Sequence, residues 1–158
     1  MQKLAITFVV LIAALAPAVG AMADETFRAT LTGDQEVPPV VTDTTGKFKI
    51  QINKAETAAE FTLTVNDGVG ITQAALQCAP AGLNGPLVVF LAGNHPAGLD
   101  VDGNWISNAS ITNTSIVNAA CGATVSVLAD SMRSGNVYVN VRSVAFPAGV
   151  VRGQLADD

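Results

Sequence analysis

Three runs of this chain alternate apolar and polar residues with a period of two, and that alternation restricts the fold more than any other feature. Phe27, Ala29 and Leu31 have polar neighbours between them, as do Phe48, Ile50 and Ile52, and then Phe61, Leu63 and Val65. Successive side chains of an extended strand point to opposite faces, so each run reads as a half-buried antiparallel strand with its apolar face on a core. Pro38-Pro39, Thr44-Thr45-Gly46 and Asn66-Asp67-Gly68 read as turn and breaker signals. Further apolar runs over residues 71–78, 86–91, 137–141 and 150–155, divided by Gly-rich turns, extend the pattern toward a β-sandwich or barrel. Residues 105–120, rich in Asn, Ser and Thr, read as weak strand and loop. One helix interrupts the strands near 124–134, where Val125, Leu128, Ala129 and Met132 recur at helical spacing. Thr124 is placed to cap its start and Gly135 to end it in the left-handed conformation.

Residues 1–23 have the form of a secretory signal peptide: Lys3, an apolar run over 4–16, then Pro17, Gly20 and Ala21-Met22-Ala23 before Asp24. The run is shorter than the roughly 20 residues that span a bilayer as a helix, so cleavage after Ala23 and no membrane span afterwards are expected. Residues 24–158 then form one domain. The chain carries 8 Lys and Arg against 13 Asp and Glu, and Lys3 lies in the leader, so the mature part is the more acidic. Its scattered cations argue against nucleic acid or anionic lipid as a partner.

Export gives the two cysteines a meaning, because thiols pair in oxidising compartments. Cys78 and Cys121 are expected to form a disulfide, which the chain-entropy account values at about 4 kcal/mol. As ligands for a soft metal they fall short of four, even with the lone histidine.

Four motifs occur in order: Phe27-Arg-Ala-Thr-Leu-Thr-Gly-Asp-Gln-Glu-Val-Pro-Pro-Val40, Leu83-Asn-Gly-Pro-Leu-Val-Val-Phe-Leu91, Gly135-Asn-Val-Tyr-Val-Asn-Val141, and Phe146-Pro-Ala-Gly with Arg152-Gly-Gln-Leu155. Together they resemble the CHRD domain, first described in chordin and widespread in exported bacterial proteins. The resemblance implies an all-β fold, an immunoglobulin-like or superoxide-dismutase-like antiparallel β-sandwich, with a poorly defined biochemical role. Three departures stand out. The family pattern has Ala-His-Ile-His where this chain has Ala74-Ala75-Leu76-Gln77, and a histidine where it has Arg142. Val150 takes the place of a usual carboxylate. Any metal chemistry of those histidines should be missing here.

Period two puts Tyr138, Asn140 and Arg142 on one strand face and Val137, Val139 and Val141 on the other, with the valines toward the core. Gln73, Ala75 and Gln77 share a face, as do Arg152 and Gln154. If these strands are neighbours, as the family pattern implies, Gln77, Asn140 and Arg142 form a patch able to bind an anion or a partner's carbonyls. The plainer reading is an exposed, hydrogen-bonded sheet face. Arg152 is expected to pair with Glu36 or Asp34 and tie down the Gln-Glu-Val-Pro-Pro loop.

His95 sits in a turn, and no serine lies in a Gly-x-Ser-x-Gly motif, so acyl transfer is not expected. Asp100-Val-Asp102-Gly103-Asn104 is a partial calcium loop lacking the required Gly and Glu, and reads more simply as an Asp-Gly turn ahead of Trp105. Asn108 and Asn113 head glycosylation acceptor patterns, but the short Ala-rich leader looks bacterial, so they are expected to be exposed and unmodified. The stretch Gln73 to Pro86 reads as a stapled turn after Cys78 rather than a reactive site.

These readings lead to a secreted or periplasmic, non-enzymatic module without a cofactor, binding an extracytoplasmic protein or surface component. A superoxide-dismutase-like redox protein is the alternative, disfavoured by the missing histidines. A third expectation is an envelope protein that self-associates through its sheet edges.

Overall fold

The period-two runs pair with one another in register. A computed structural model describes residues 24–158, so the expected leader, residues 1–23, lies outside the described residues. Strand β1 (Glu25–Leu31) lies antiparallel to β2 (Thr45–Ile52), which lies antiparallel to β3 (Ala58–Cys78). Phe27 faces Ile50 and Phe48 faces Leu63 across the ladders, and all four are buried. The alternating polar residues, including Arg28 and Lys47, point outward.

The remaining strands are β4 (Leu87–Ala92), β5 (Leu99–Thr112), β6 (Val137–Ser143), β7 (Val151–Gln154) and β8 (Ala156–Asp157). They form an 8-stranded antiparallel sheet in the order β7-β6-β3-β2-β1-β8, with β4 and β5 also paired to β3. The long β3 is the shared element: its first part pairs with β2 and β5, its last part with β6 and β4. Thr32 and Arg152 exchange backbone hydrogen bonds of 3.0 and 3.1 Å, which brings β7 back to β1 and leaves the sheet nearly closed. The fold is all-β with one short helix, as expected.

Two local expectations are corrected. Asn66-Asp67-Gly68, read as a turn, lies inside β3, and Asp100 to Asn104, read as a turn before Trp105, lies inside β5, which is a continuous strand as far as Thr112. Both segments are bulges. Asp67 (φ 52°) and Gly103 (φ 117°) take positive φ, and the β3–β5 register slips between Val65 and Gly68. The aspartates serve the bulge backbone: Gly70 N–H donates to Asp100 Oδ1 at 2.9 Å and Asp67 N–H to Asp102 Oδ1 at 3.4 Å. Local turn chemistry is thus present but is absorbed by pairing on both sides of the strand.

Helix α1 (Val125–Arg133) buries Val125, Leu128, Ala129 and Met132. Thr124 Oγ1 accepts from Val127 N–H at 3.3 Å, and Gly135 (φ 68°) and Asn136 donate back to Met132 and Ser131 in a Schellman ending. Arg133, in the last turn, joins Glu25, Glu56 and Asp130 in one ion cluster. Cys78 at the end of β3 is bonded to Cys121, with Cα atoms 5.6 Å apart.

Candidate functional site

Strands β3, β6 and β7 bring polar side chains to one face because their registers match. Gln77 lies opposite Tyr138, Ala75 opposite Asn140 and Gln73 opposite Arg142; on the other side of β6, Gln154 lies opposite Tyr138 and Arg152 opposite Asn140. The expected neighbours therefore meet. The expected open patch does not exist, however, because Gln77 and Asn140 are buried along with Tyr138 and Arg152. Two loops cover this face, the segment after β1 and residues 79–86, and Asn84 Nδ2 donates across them to the Val37 carbonyl at 2.6 Å.

The expected pair between Arg152 and Glu36 is also corrected: the two share no salt bridge. Arg152 donates to the Leu83 carbonyl (2.9 Å), the Pro80 carbonyl (3.2 Å), Asn84 Oδ1 and Gln154 Oε1. Its guanidinium carbon lies 3.5 Å from the centroid of the Tyr138 ring. Carbonyl dipoles and the ring face thus compensate a cation that is only 1% exposed. Tyr138 Oη accepts from Gly85 N–H at 3.1 Å, and Gln154 Nε2 donates to the Ala79 carbonyl at 3.0 Å. The 79–86 loop is thus fastened by Arg152, Tyr138 and Gln154 as well as by the disulfide.

Glu36 instead accepts from Asn140 Nδ2, at 3.0 and 3.2 Å to its two oxygens. Burial pushes its carboxyl up to about 7, against the pull of Arg152, the Asn140 amide and Arg142. Asn140 Oδ1 is buried without a partner among the described residues. Gly149 closes over this pair so tightly that a Cβ there would collide with both Asn140 Nδ2 and Glu36 Oε1.

Arg142, the third member of the expected patch, is the one that reaches solvent. It is half-buried in a pocket of about 370 Å³ whose polar lining comes from Thr72, Gln73, Asn94 and Ser143, with Pro96, Val144 and Pro147 completing the wall. Arg142 enters no ion pair among the described residues, and its Nε is buried without an acceptor. His95 lies in the adjoining turn, where its N–H donates to the Thr72 carbonyl at 2.9 Å and its carbonyl accepts from Gly98. Exposed apolar side chains gather at this end: Val69 on the β3 bulge, Leu99 at the start of β5, and Val144 and Phe146 in the turn after β6. Val144 N–H donates to the Gly70 carbonyl at 2.8 Å, which holds these segments together.

Sequence reasoning missed Tyr138 as a cation platform, Asn140 as the partner of Glu36, and this apolar rim. The exposed apolar residues left a signal, since Val144 and Phe146 directly precede the Pro147-Ala148-Gly149 turn, where polar residues are usual. A larger groove of about 590 Å³ runs along β1 and β2, but its cations Arg28, Lys47 and Lys49 share it with Asp157 and Asp158, and Arg28 pairs with Asp158 at 2.6 Å.

The positions where the resemblance puts imidazoles hold a methyl group (Ala75), an amide (Gln77) and a guanidinium (Arg142), a donor set that does not fit copper or zinc. No curated protein and no solved structure matches the chain. The CHRD domain profile matches residues 27–155, from the first core phenylalanine of β1 to the buried Leu155 beyond β7. With nearly all of its described residues inside that match, the chain belongs to the CHRD domain family.

Proposed function

We propose that this protein is an exported, non-enzymatic CHRD module that binds an extracytoplasmic protein or surface component through the Arg142 end of the shell. One observation carries the reading: an arginine without an ion pair among the described residues lies in a solvent-open pocket walled on its apolar side by Pro96, Val144 and Pro147. An unpaired cation in a solvent-open pocket that also offers apolar surface has the form of a recognition site. The disulfide and the family are in keeping with a secreted or periplasmic location. N-terminal sequencing of exported material, expected to begin at Asp24, tests the leader directly.

Affinity capture from envelope extract with wild type and Arg142→Ala tests the binding reading. Partners recovered by wild type and lost by the folded variant support it; identical recovery by both overturns it. The finer architecture we favour is a divergent immunoglobulin-like or superoxide-dismutase-like sandwich, in which the two parts of β3 contribute to two packed layers. A redox enzyme of the dismutase type is disfavoured by the donor set at positions 75, 77 and 142.

A further inference from the structure

The Arg142 pocket is electrostatically unlike the rest of the chain. The sequence has 13 Asp and Glu, yet the lining of this pocket contains no carboxylate among the described residues. Its accessible polar groups are the Thr72 hydroxyl, the amides of Gln73 and Asn94, and the Arg142 guanidinium, while the buried Ser143 hydroxyl is held by the Phe146 N–H. All of these can donate a hydrogen bond. Glu36, the carboxylate whose ionisation Arg142 favours, is 5% exposed and already held by Asn140. A half-buried guanidinium without a counter-charge is costly, and an anionic occupant offsets that cost. Arginine matches a carboxylate through two parallel N–H···O bonds.

The rim narrows the choice. Val144, 55% exposed, lines the pocket together with Pro96 and Pro147. A bare inorganic anion gains nothing from these surfaces and would be better served by several cations. We infer that the pocket binds a carboxylate carried on an apolar group, the carboxylate on Arg142 with Gln73 beside it, and the apolar group against Val144 and the prolines. Such a group exists at the end of a polypeptide whose last residue is apolar and in a free branched-chain acid. This ligand class rests on the binding reading above and names the chemistry of its site.

The test is amide NMR titration of residues 24–158 with isovalerate, isovaleramide, inorganic phosphate, and a short peptide ending in Val-Leu as free acid or as amide. Saturable shifts at Thr72, Gln73 and Ser143 are expected from isovalerate or the free-acid peptide. Replacing the carboxylate by an amide should weaken binding by about tenfold or more. The stronger of the two acids identifies the source. Arg142→Gln should abolish these shifts while leaving the remaining spectrum in place. Val144→Asp, which places a competing carboxylate in the pocket beside Arg142, should weaken both acids. Equal binding of the amides, phosphate binding as tight as either acid, or no shifts at these residues overturns the inference. If partner capture still depends on Arg142 when both acids fail, the binding reading stands and the ligand class alone falls; if capture is also independent of Arg142, both fall.

Discussion

Arg152 lies over the face of Tyr138 at 3.5 Å while its nitrogens bind the Pro80 and Leu83 carbonyls, so one buried cation fastens a loop to the sheet. The same ring accepts from Gly85 through its hydroxyl, and the loop backbone is held from both sides. Replacing Arg152 strands those carbonyls and removes a packed side chain from a fully buried position. Arg152→Ala is expected to cost about 3 kcal/mol or more in urea unfolding, with loss of amide protection centred on residues 79–86. Arg152→Lys should recover only part, because a single ammonium cannot serve the separated carbonyls and lie flat on the ring.

Glu36 makes stability depend on pH in the direction opposite to most carboxylates. Its folded carboxyl titrates at about 7, above its ordinary 4.5, because it is buried. The folded protein therefore keeps a proton that the unfolded chain has already released, and the stabilisation is greatest below the ordinary value and is lost as pH rises through about 7. Between about pH 5 and pH 8 the loss should be about 2 kcal/mol. Glu56 and Asp158 are held below their ordinary values, by hydrogen bonds from Ser126 and Arg28 respectively, and act only at more acidic pH. Urea midpoints across this window should fall for wild type and stay nearly level for Glu36→Gln; parallel curves would contradict the assignment.

The Cys78–Cys121 bridge ties the end of β3 to the segment before α1 across 43 residues of sequence. Reduction, or replacement of both cysteines by serine, should lower stability by about 2–4 kcal/mol. Thiol titration of native exported protein in denaturant should find none free.

The donors at positions 75, 77 and 142 predict a protein without stoichiometric copper or zinc. Elemental analysis of the purified mature chain checks this, and tight stoichiometric metal surviving dialysis against chelator would reopen the redox alternative.

The strands at Phe27, Phe48 and Phe61 were legible because each has one buried and one solvated face, and a period of two records that asymmetry directly. The cap and Gly135 ending of α1 were legible for a similar reason, since both devices act within one turn of the helix. The bulges of β3 and β5 were not. Asn-Asp-Gly supplies the same positive φ whether the chain reverses or continues, and only pairing on both edges decides which occurs. The registers that align Gln77, Asn140 and Arg142 with their neighbours followed the family pattern. What covers that face did not, because the 79–86 loop and the Glu36 segment reach it through contacts between residues far apart in sequence. Arg142 stood out as a charge on a strand. It keeps its solvent contact while Gln77 and Asn140 lose theirs.

Site-specific photocrosslinking in cells tests the binding claim most directly, with the crosslinker placed at Val144 on the pocket rim or at Val127, an exposed position on α1. The account predicts a discrete crosslinked species from position 144 that disappears when Arg142→Ala is added, and none from position 127. Equal crosslinking from both positions, or a species at 144 that persists without Arg142, would contradict it.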